Sequence, residues 1–165
     1  MFSDSQKIET YKVLGQIAMG SGTSEYKCAW AMNLLEQGVD SAHLAVLATL
    51  LKPINEFEAD DYFNRVLNEL NINRPCDEDA IEGYARVLMK EVIDGSLTPE
   101  AGASMIYNAS IQLGVPASLG EFPVLEDEWH CECINGWSKE RRRAEIIKAC
   151  KAAYKALNYP NIFKA

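Results

Sequence analysis

The sequence predicts an all-α protein, a single domain of about seven helices packed in an irregular, orthogonal array. Apolar residues recur at helical spacing in six separate stretches, and no stretch alternates apolar and polar residues as a half-buried strand would. The chain has 165 residues, 48% of them hydrophobic, which is enough to bury a core in one domain spanning residues 1–165.

Three helices are predicted in the first third of the chain. Their buried stripes are Tyr11, Leu14 and Ile17; Trp30, Ala31, Leu34 and Leu35; and Leu44, Leu47, Ala48 and Leu51. The glycine- and serine-rich segment 20–24 ends the first helix and offers N-cap residues for the second. Gly38 ends the second helix, and Asp40 or Ser41 caps the third.

Three further helices follow the same spacing. Their stripes are Phe63, Val66, Leu67 and Leu70; Ile81, Tyr84, Ala85, Leu88 and Val92; and Met105, Ile106, Ala109 and Leu113. A turn at residues 71–75 separates the first two. Thr98, Pro99 and Glu100 form a strong helix start, with an N-cap, a proline at the first position and an acid in the first turn.

The last part of the chain divides into an acidic and a basic segment. Residues 114–137 show no helical period, and they are predicted to form an irregular acidic segment. Residues 138–157 are predicted to form a C-terminal basic helix, capped by Ser138 and followed by Pro160.

Charge limits the classes of partner. The net charge is -8, and residues 1–137 hold 22 acids against 8 bases, whereas residues 138–165 hold 8 bases against 2 acids. Because phosphate repels an acidic body, nucleic acid is not expected as a partner. The charge suits a basic protein partner or serves solubility alone.

Location is predicted from the N-terminus and from hydropathy. The chain begins without a signal peptide, and no apolar run approaches the ~20 residues that span a bilayer. We therefore expect a cytoplasmic protein with no membrane partner. Its five cysteines, Cys28, Cys76, Cys131, Cys133 and Cys150, are then expected to be reduced thiols.

One cluster has metal-ligand chemistry. His130-Cys131-Glu132-Cys133 offers thiolate and imidazole groups, but its spacing is C-x-C and no second cluster completes a zinc site. We expect no metal and no cofactor. A small thiol- or metal-dependent enzyme built on Cys131 and Cys133 is the alternative that this cluster leaves open.

Other catalytic patterns are absent from the sequence. It has neither the Gly-x-Ser-x-Gly nucleophile elbow nor the His-Glu-x-x-His zinc pattern, and His43 lies in the first turn of the third helix. No catalytic residue is assigned, and we expect a protein that is not an enzyme.

Carboxylates cluster in two different settings. Those at the starts of the fourth and fifth helices complement the helix macrodipole: Glu56, Glu58, Asp60 and Asp61, and Asp77, Glu78, Asp79 and Glu82. Those in residues 121–132 lie in the irregular segment together with aromatic residues. Acid beside exposed aromatic side chains predicts a partner-binding surface. Its residues are Glu121, Phe122, Glu126, Asp127, Glu128, Trp129 and Glu132.

Two alternatives stay open for that segment. It could fold back with Trp129 and Trp137 in the core, because aromatic residues serve both purposes. Lys139, Arg141, Arg142 and Arg143 open the last helix, where positive charge opposes the dipole. An internal ion network with the preceding acids is therefore favoured over a phosphate site.

Several helix starts and ends are similar to those of a known group of proteins. The similarity lies in Leu34-Leu35-Glu36-Gln37-Gly38-Val39-Asp40-Ser41, Phe57-Glu58, Tyr62-Phe63, Ile93-Asp94-Gly95 and Thr98-Pro99-Glu100. Over residues 25–113 the chain resembles a diffuse group of small, uncharacterised all-helical bacterial proteins, some of them suspected immunity proteins of polymorphic toxin systems. That resemblance implies an immunity-type inhibitor that masks a toxin partner, and it implies no catalytic residues. The alternative is a helical adaptor or scaffold protein in a cytosolic complex.

Overall fold

Helices make up nearly all the regular structure of the residues that the structure describes. A computed structural model describes residues 2–21, 23–131 and 136–164, and these residues contain eight α-helices and no strand. The helices are α1 (Asp4–Ala18), α2 (Ser24–Glu36), α3 (Ala42–Ala48), α4 (Glu56–Glu69), α5 (Asp77–Asp94), α6 (Pro99–Gln112), α7 (Phe122–His130) and α8 (Lys139–Ala156). The all-α prediction is confirmed, with one helix more than expected.

Polar caps fix the helix starts that the sequence signals. The side chains of Ser41, Thr98 and Ser138 each accept a hydrogen bond from the backbone N–H three residues further on. Ser3 and Gln6 form a reciprocal capping box at α1. These contacts satisfy N–H groups that have no partner within their own helix.

Helix α7 corrects the prediction of an irregular segment at residues 114–137. A turn of 3-10 helix, Ala117–Leu119, precedes it. Its buried residues are Phe122, Leu125 and Glu128, spaced three apart. Because one of the three is charged, the apolar stripe is only two residues long and gives little periodic signal. Proline in the first turn is compatible with a helix, because that N–H needs no intrahelical partner.

The chain divides into two compact units, and each is described by itself. The first unit is Met1–Ala80 with Pro160–Ala165, and the second is Ile81–Tyr159. The single domain and the orthogonal array stay predictions.

The first unit is built around Trp30. Its indole is 2% exposed, lies 5.1 Å from the Phe63 ring in an edge-on contact, and donates to Thr10 Oγ1 at 3.2 Å. Leu34, Leu44 and Leu47 are fully buried. Helices α2, α3 and α4 therefore meet at most of the positions that the sequence predicts. Leu51 is a correction, because α3 ends at Ala48 and leaves this predicted core residue outside the helix and exposed.

The C-terminal tail belongs to this first unit. Asn73 N donates to Ile162 O at 2.7 Å, and Lys164 N donates to Asn71 O at 3.2 Å. The Phe163 ring lies 5.6 Å from that of Tyr11, whose hydroxyl donates to Pro160 O. The end of the chain thus covers one side of α1.

The second unit is held by a close helix approach and by an arginine. A Cβ on Gly102 would lie 2.1 Å from Val92 Cγ2, so only glycine lets α6 approach α5 this closely. Arg86 of α5 donates to the carbonyls of Tyr154 and Leu157, and its guanidinium lies 3.9 Å from the Tyr154 ring centroid. A cation there satisfies the last carbonyls of α8.

Candidate functional site

The partner-binding surface predicted at residues 121–132 coincides with α7, and the fold buries part of it. Phe122 and Glu128 are each 1% exposed. A partner cannot reach either side chain without opening the second unit. These two residues are therefore corrected from surface residues to core residues, because they lie on the inner face of a helix.

Glu126 is committed to contacts within the second unit. Its Oε1 accepts a hydrogen bond from Ser104 Oγ of α6 and lies 3.0 Å from His130 Nε2. The other oxygen, Oε2, is buried without a hydrogen bond. The carboxylate thus connects α6 to α7.

Trp129 of α7 is half-buried against α8. Arg142 and Lys139 of α8 approach its ring, at 5.4 and 5.9 Å from the centroid. Such contacts are typical of cation–π attraction. The ring therefore helps to hold α8, and only part of it is free for a partner.

Glu121, Val124 and Asp127 form the exposed face of α7. Val124 is 54% exposed, and both carboxylates are exposed. Within the described residues neither acid forms an ion pair. Glu132, the remaining residue of the predicted surface, lies outside the described residues. The accessible part of the surface is thus smaller than the sequence suggests.

The arginines of α8 find partners other than the acidic run alone. Arg143 donates to both carboxylate oxygens of Glu100 in α6, at 2.6 and 3.2 Å, and this holds the pKa of Glu100 below its usual range. Arg142 is 7% exposed and donates to the backbone carbonyl of Glu128 at 3.2 Å. Arg143 thus forms an ion pair with α6, and Arg142 contacts α7 at a backbone carbonyl.

The cysteine prediction needs one correction. Cys28, Cys76 and Cys150 are free thiols, whereas Cys131 is disulfide-bonded. The expectation of reduced thiols rested on the predicted compartment and not on geometry, so it could not exclude this bond. Burial raises the pKa of Cys150 to about 12, which makes that thiol unreactive.

The metal cluster receives no support from the described residues. Among them, no group of three or more histidine, cysteine, aspartate or glutamate side chains could hold a metal ion. Cys133 and Glu132 lie outside the described residues. The absence of a metal stays a prediction.

Serine, histidine and glutamate meet at two places, in an order that does not activate a nucleophile. In α3 and α4, Ser41 and His43 both contact the Glu69 carboxylate, and these hydrogen bonds lower the Glu69 pKa. Ser104 and His130 both contact the carboxylate of Glu126. Activation of a serine as a nucleophile requires a histidine that is hydrogen-bonded to its hydroxyl. The hydroxyls of Ser41 and Ser104 bond to carboxylates instead.

The most exposed large apolar side chains of the described residues lie elsewhere, in the first unit. Phe57 is 88% exposed and Leu51 is 87% exposed. Phe57 occupies the second position of α4, off the buried stripe formed by Phe63, Val66 and Leu67. The sequence contains this signal, since a phenylalanine outside the helical period cannot face the same core.

Carboxylates surround Phe57, and two of them are uncommitted. Asp60 pairs with Lys27, and Asp61 pairs with Arg65 at 2.7 Å. Glu56 and Glu58 are exposed and form no ion pair within the described residues. The first unit as a whole holds 13 acids against 7 bases. Exposed aromatic and uncompensated acid, sought in α7, thus occur together at the start of α4.

Membrane-spanning capacity and similarity to known proteins complete the description. No helix in the described part of the chain is both long and apolar enough to cross a bilayer. Comparisons with protein-family models, with curated proteins and with solved structures found no match to this chain.

Proposed function

We propose that the chain is a non-enzymatic binding protein of the bacterial cytoplasm, an immunity-type inhibitor that masks a basic toxin domain. The observation that carries the proposal is Phe57, 88% exposed between Glu56 and Glu58 at the start of α4. Burial of this exposed aromatic ring in a partner would contribute about 1.5–3 kcal/mol to the free energy of binding.

Charge supports a basic partner. The uncommitted carboxylates of Glu56 and Glu58 add to an acidic first unit, and a field of this sign accelerates encounter with a positive surface. Tight interfaces commonly have aromatic anchors at the centre and polar or charged residues at the rim. The exposed face of α7, with Glu121 and Asp127, stays the second predicted surface.

The partner test first searches the neighbourhood of the gene for this chain for a basic toxin domain, and purifies that domain together with the chain. We expect the two purified proteins to form a stoichiometric complex, and co-expression to relieve the growth inhibition that the toxin causes. Binding without relief of growth would instead indicate the alternative, a helical adaptor or scaffold protein. Absence of a complex would overturn the proposal.

The surface test compares matched variants. Phe57→Ala should weaken binding about 30-fold or more, as expected for an anchor that contributes at least about 2 kcal/mol. Ile111→Ala, which shortens an exposed apolar side chain of the second unit, should leave the affinity unchanged. Equal effects of the two variants would show that the Phe57 assignment is wrong.

The charge test separates the two acidic surfaces. Glu58→Lys should slow association and reduce its dependence on salt. The double variant Glu121→Lys/Asp127→Lys applies the same test to α7. Should only the α7 variant slow association, the originally predicted surface is the site and α4 is not.

A further inference from the structure

The first unit contains a polar cavity between the first turns of α2 and α4. Its volume is about 280 Å³. This lies just below the ~300–1,000 Å³ range of small-molecule sites, so it suits a metabolite smaller than a drug. The cavity is lined by Gly20, Thr23, Ser24, Lys27, Glu56 and Asp60. All of these except the glycine have polar or charged side chains.

Ser24 is the feature that points to a ligand. It is 4% exposed, and its hydroxyl is buried with no hydrogen-bond partner while the residue lines the cavity. Buried hydroxyls are almost always hydrogen-bonded, so an unpaired hydroxyl on a residue that lines a cavity is a candidate hydrogen-bond donor to a bound ligand. Ser24 opens α2, where the N-cap residue Thr23 contributes no side-chain hydrogen bond to the helix backbone.

The charges in the cavity define what fits. Lys27 is 6% exposed and its ammonium pairs with Asp60 of α4. An ammonium has three N–H donors, so this pairing leaves donors to spare. Glu56 adds a carboxylate that forms no ion pair within the described residues. The lining thus offers hydrogen-bond donors on the α2 side and an uncompensated negative charge on the α4 side.

We propose that this cavity binds a free α-amino acid. The ligand's carboxylate accepts hydrogen bonds from Ser24 Oγ and Lys27 Nζ, near the positive end of the α2 dipole. Its ammonium group contacts the carboxylate of Glu56. A ligand with both charges satisfies both sides of the cavity, whereas a simple anion meets two carboxylates and a simple amine leaves the Ser24 hydroxyl unpaired. This proposal does not rest on the protein partner, although it shares Glu56 with the proposed partner surface.

The binding test presents each of the twenty amino acids to the full chain. At least one should raise the melting temperature in a saturable manner and bind in calorimetry with one site per chain. n-Propylamine and propionate, which carry one charge each, should bind at least tenfold more weakly. Failure of every amino acid to bind at millimolar concentration would overturn the proposal.

Two variants assign the binding to this cavity. Ser24→Ala should weaken amino-acid binding tenfold to a hundredfold, as loss of a hydrogen bond to a charged group does. It should leave the ligand-free melting temperature unchanged or higher, because the hydroxyl has no partner in the fold. Glu56→Gln should weaken binding similarly, while Glu58→Gln, two residues away and outside the cavity, should not. Unaltered binding in Ser24→Ala and Glu56→Gln would show that the amino acid binds elsewhere and that the proposal is wrong.

Discussion

The starts of α4 and α7 are alike in composition and opposite in placement. Each combines a phenylalanine with several carboxylates within about ten residues. In α4 the ring of Phe57 is 88% exposed, whereas in α7 the ring of Phe122 is 1% exposed. The carboxylates differ as well, since Glu58 stays uncommitted while Glu126 is bonded to Ser104.

Helical register accounts for the difference. Phe122 shares the inner face of α7 with Leu125 and Glu128, three residues apart. Phe57 lies away from the buried stripe of α4 that contains Phe63. Composition therefore identifies a segment as a candidate binding surface. The angular position of each residue around its helix decides whether its side chain faces the core or the solvent.

The strongest test of this contrast exchanges each phenylalanine for alanine. Phe122→Ala should lower the free energy of unfolding by about 3–5 kcal/mol, because it empties a filled core position. Phe57→Ala should change it by no more than about 0.5 kcal/mol. Denaturant-induced unfolding measures both, and similar losses in the two variants would refute the placement of the rings.

A second test concerns two adjacent acids of α7. Glu126→Lys should destabilise the chain by about 2 kcal/mol, because Ser104 loses its acceptor and a longer, cationic side chain replaces the carboxylate in a half-buried position. Asp127→Lys, on the exposed face, should cost less than about 0.5 kcal/mol. Asp127 is therefore the better position for partner-binding experiments, because its substitution should change binding without changing stability. Equal stability of the two variants in chemical denaturation would contradict the register of α7.

A third test uses pH to measure how far the charges of the second unit are satisfied internally. Arg143 lowers the folded-state pKa of Glu100 below its usual value near 4.5. The ion pair therefore stabilises the fold above the unfolded-state pKa, and this contribution is lost as pH falls through the lowered folded-state pKa. It should amount to roughly 0.5–1 kcal/mol, since the pair is partly exposed.

Glu100→Gln should remove that contribution at pH 7 and flatten the stability profile between about pH 5 and pH 3. Melting temperatures recorded across this interval test the expectation, with Glu121→Gln as the control because Glu121 has no ion pair within the described residues. A slope unchanged from that of the wild type in Glu100→Gln would show that the pair does not form in solution.

The smallest effect is expected at the start of α4. Glu58→Gln should reduce stability by about 0.3 kcal/mol at low salt, the part of its charge that serves the helix dipole, and by less at high salt. A loss well above 1 kcal/mol would mean that Glu58 is structural, and would weaken its assignment to a partner surface.

Much of the fold was predictable because it depends on local patterns. Helical spacing located the buried stripes of Trp30, Leu44 and Phe63, and cap residues such as Ser138 located helix starts. The prediction was wrong at α7, where Glu128 occupies a core position that a periodicity analysis counts as polar. The candidate site was less predictable, because exposure was inferred from residue type and the contacts of Glu126 and Trp129 come from α6 and α8.

The sequence by itself determined the helical class, most helix limits and the acidic balance, because periodicity, capping and charge are properties of short stretches. Only the tertiary structure decided which acids and rings are free. Glu100 and Arg143 lie 43 residues apart, and Lys27 and Asp60 lie 33 apart. Pairing at such separations depends on how helices pack, and that packing also set the cavity beside Ser24 and left Phe57 in solvent.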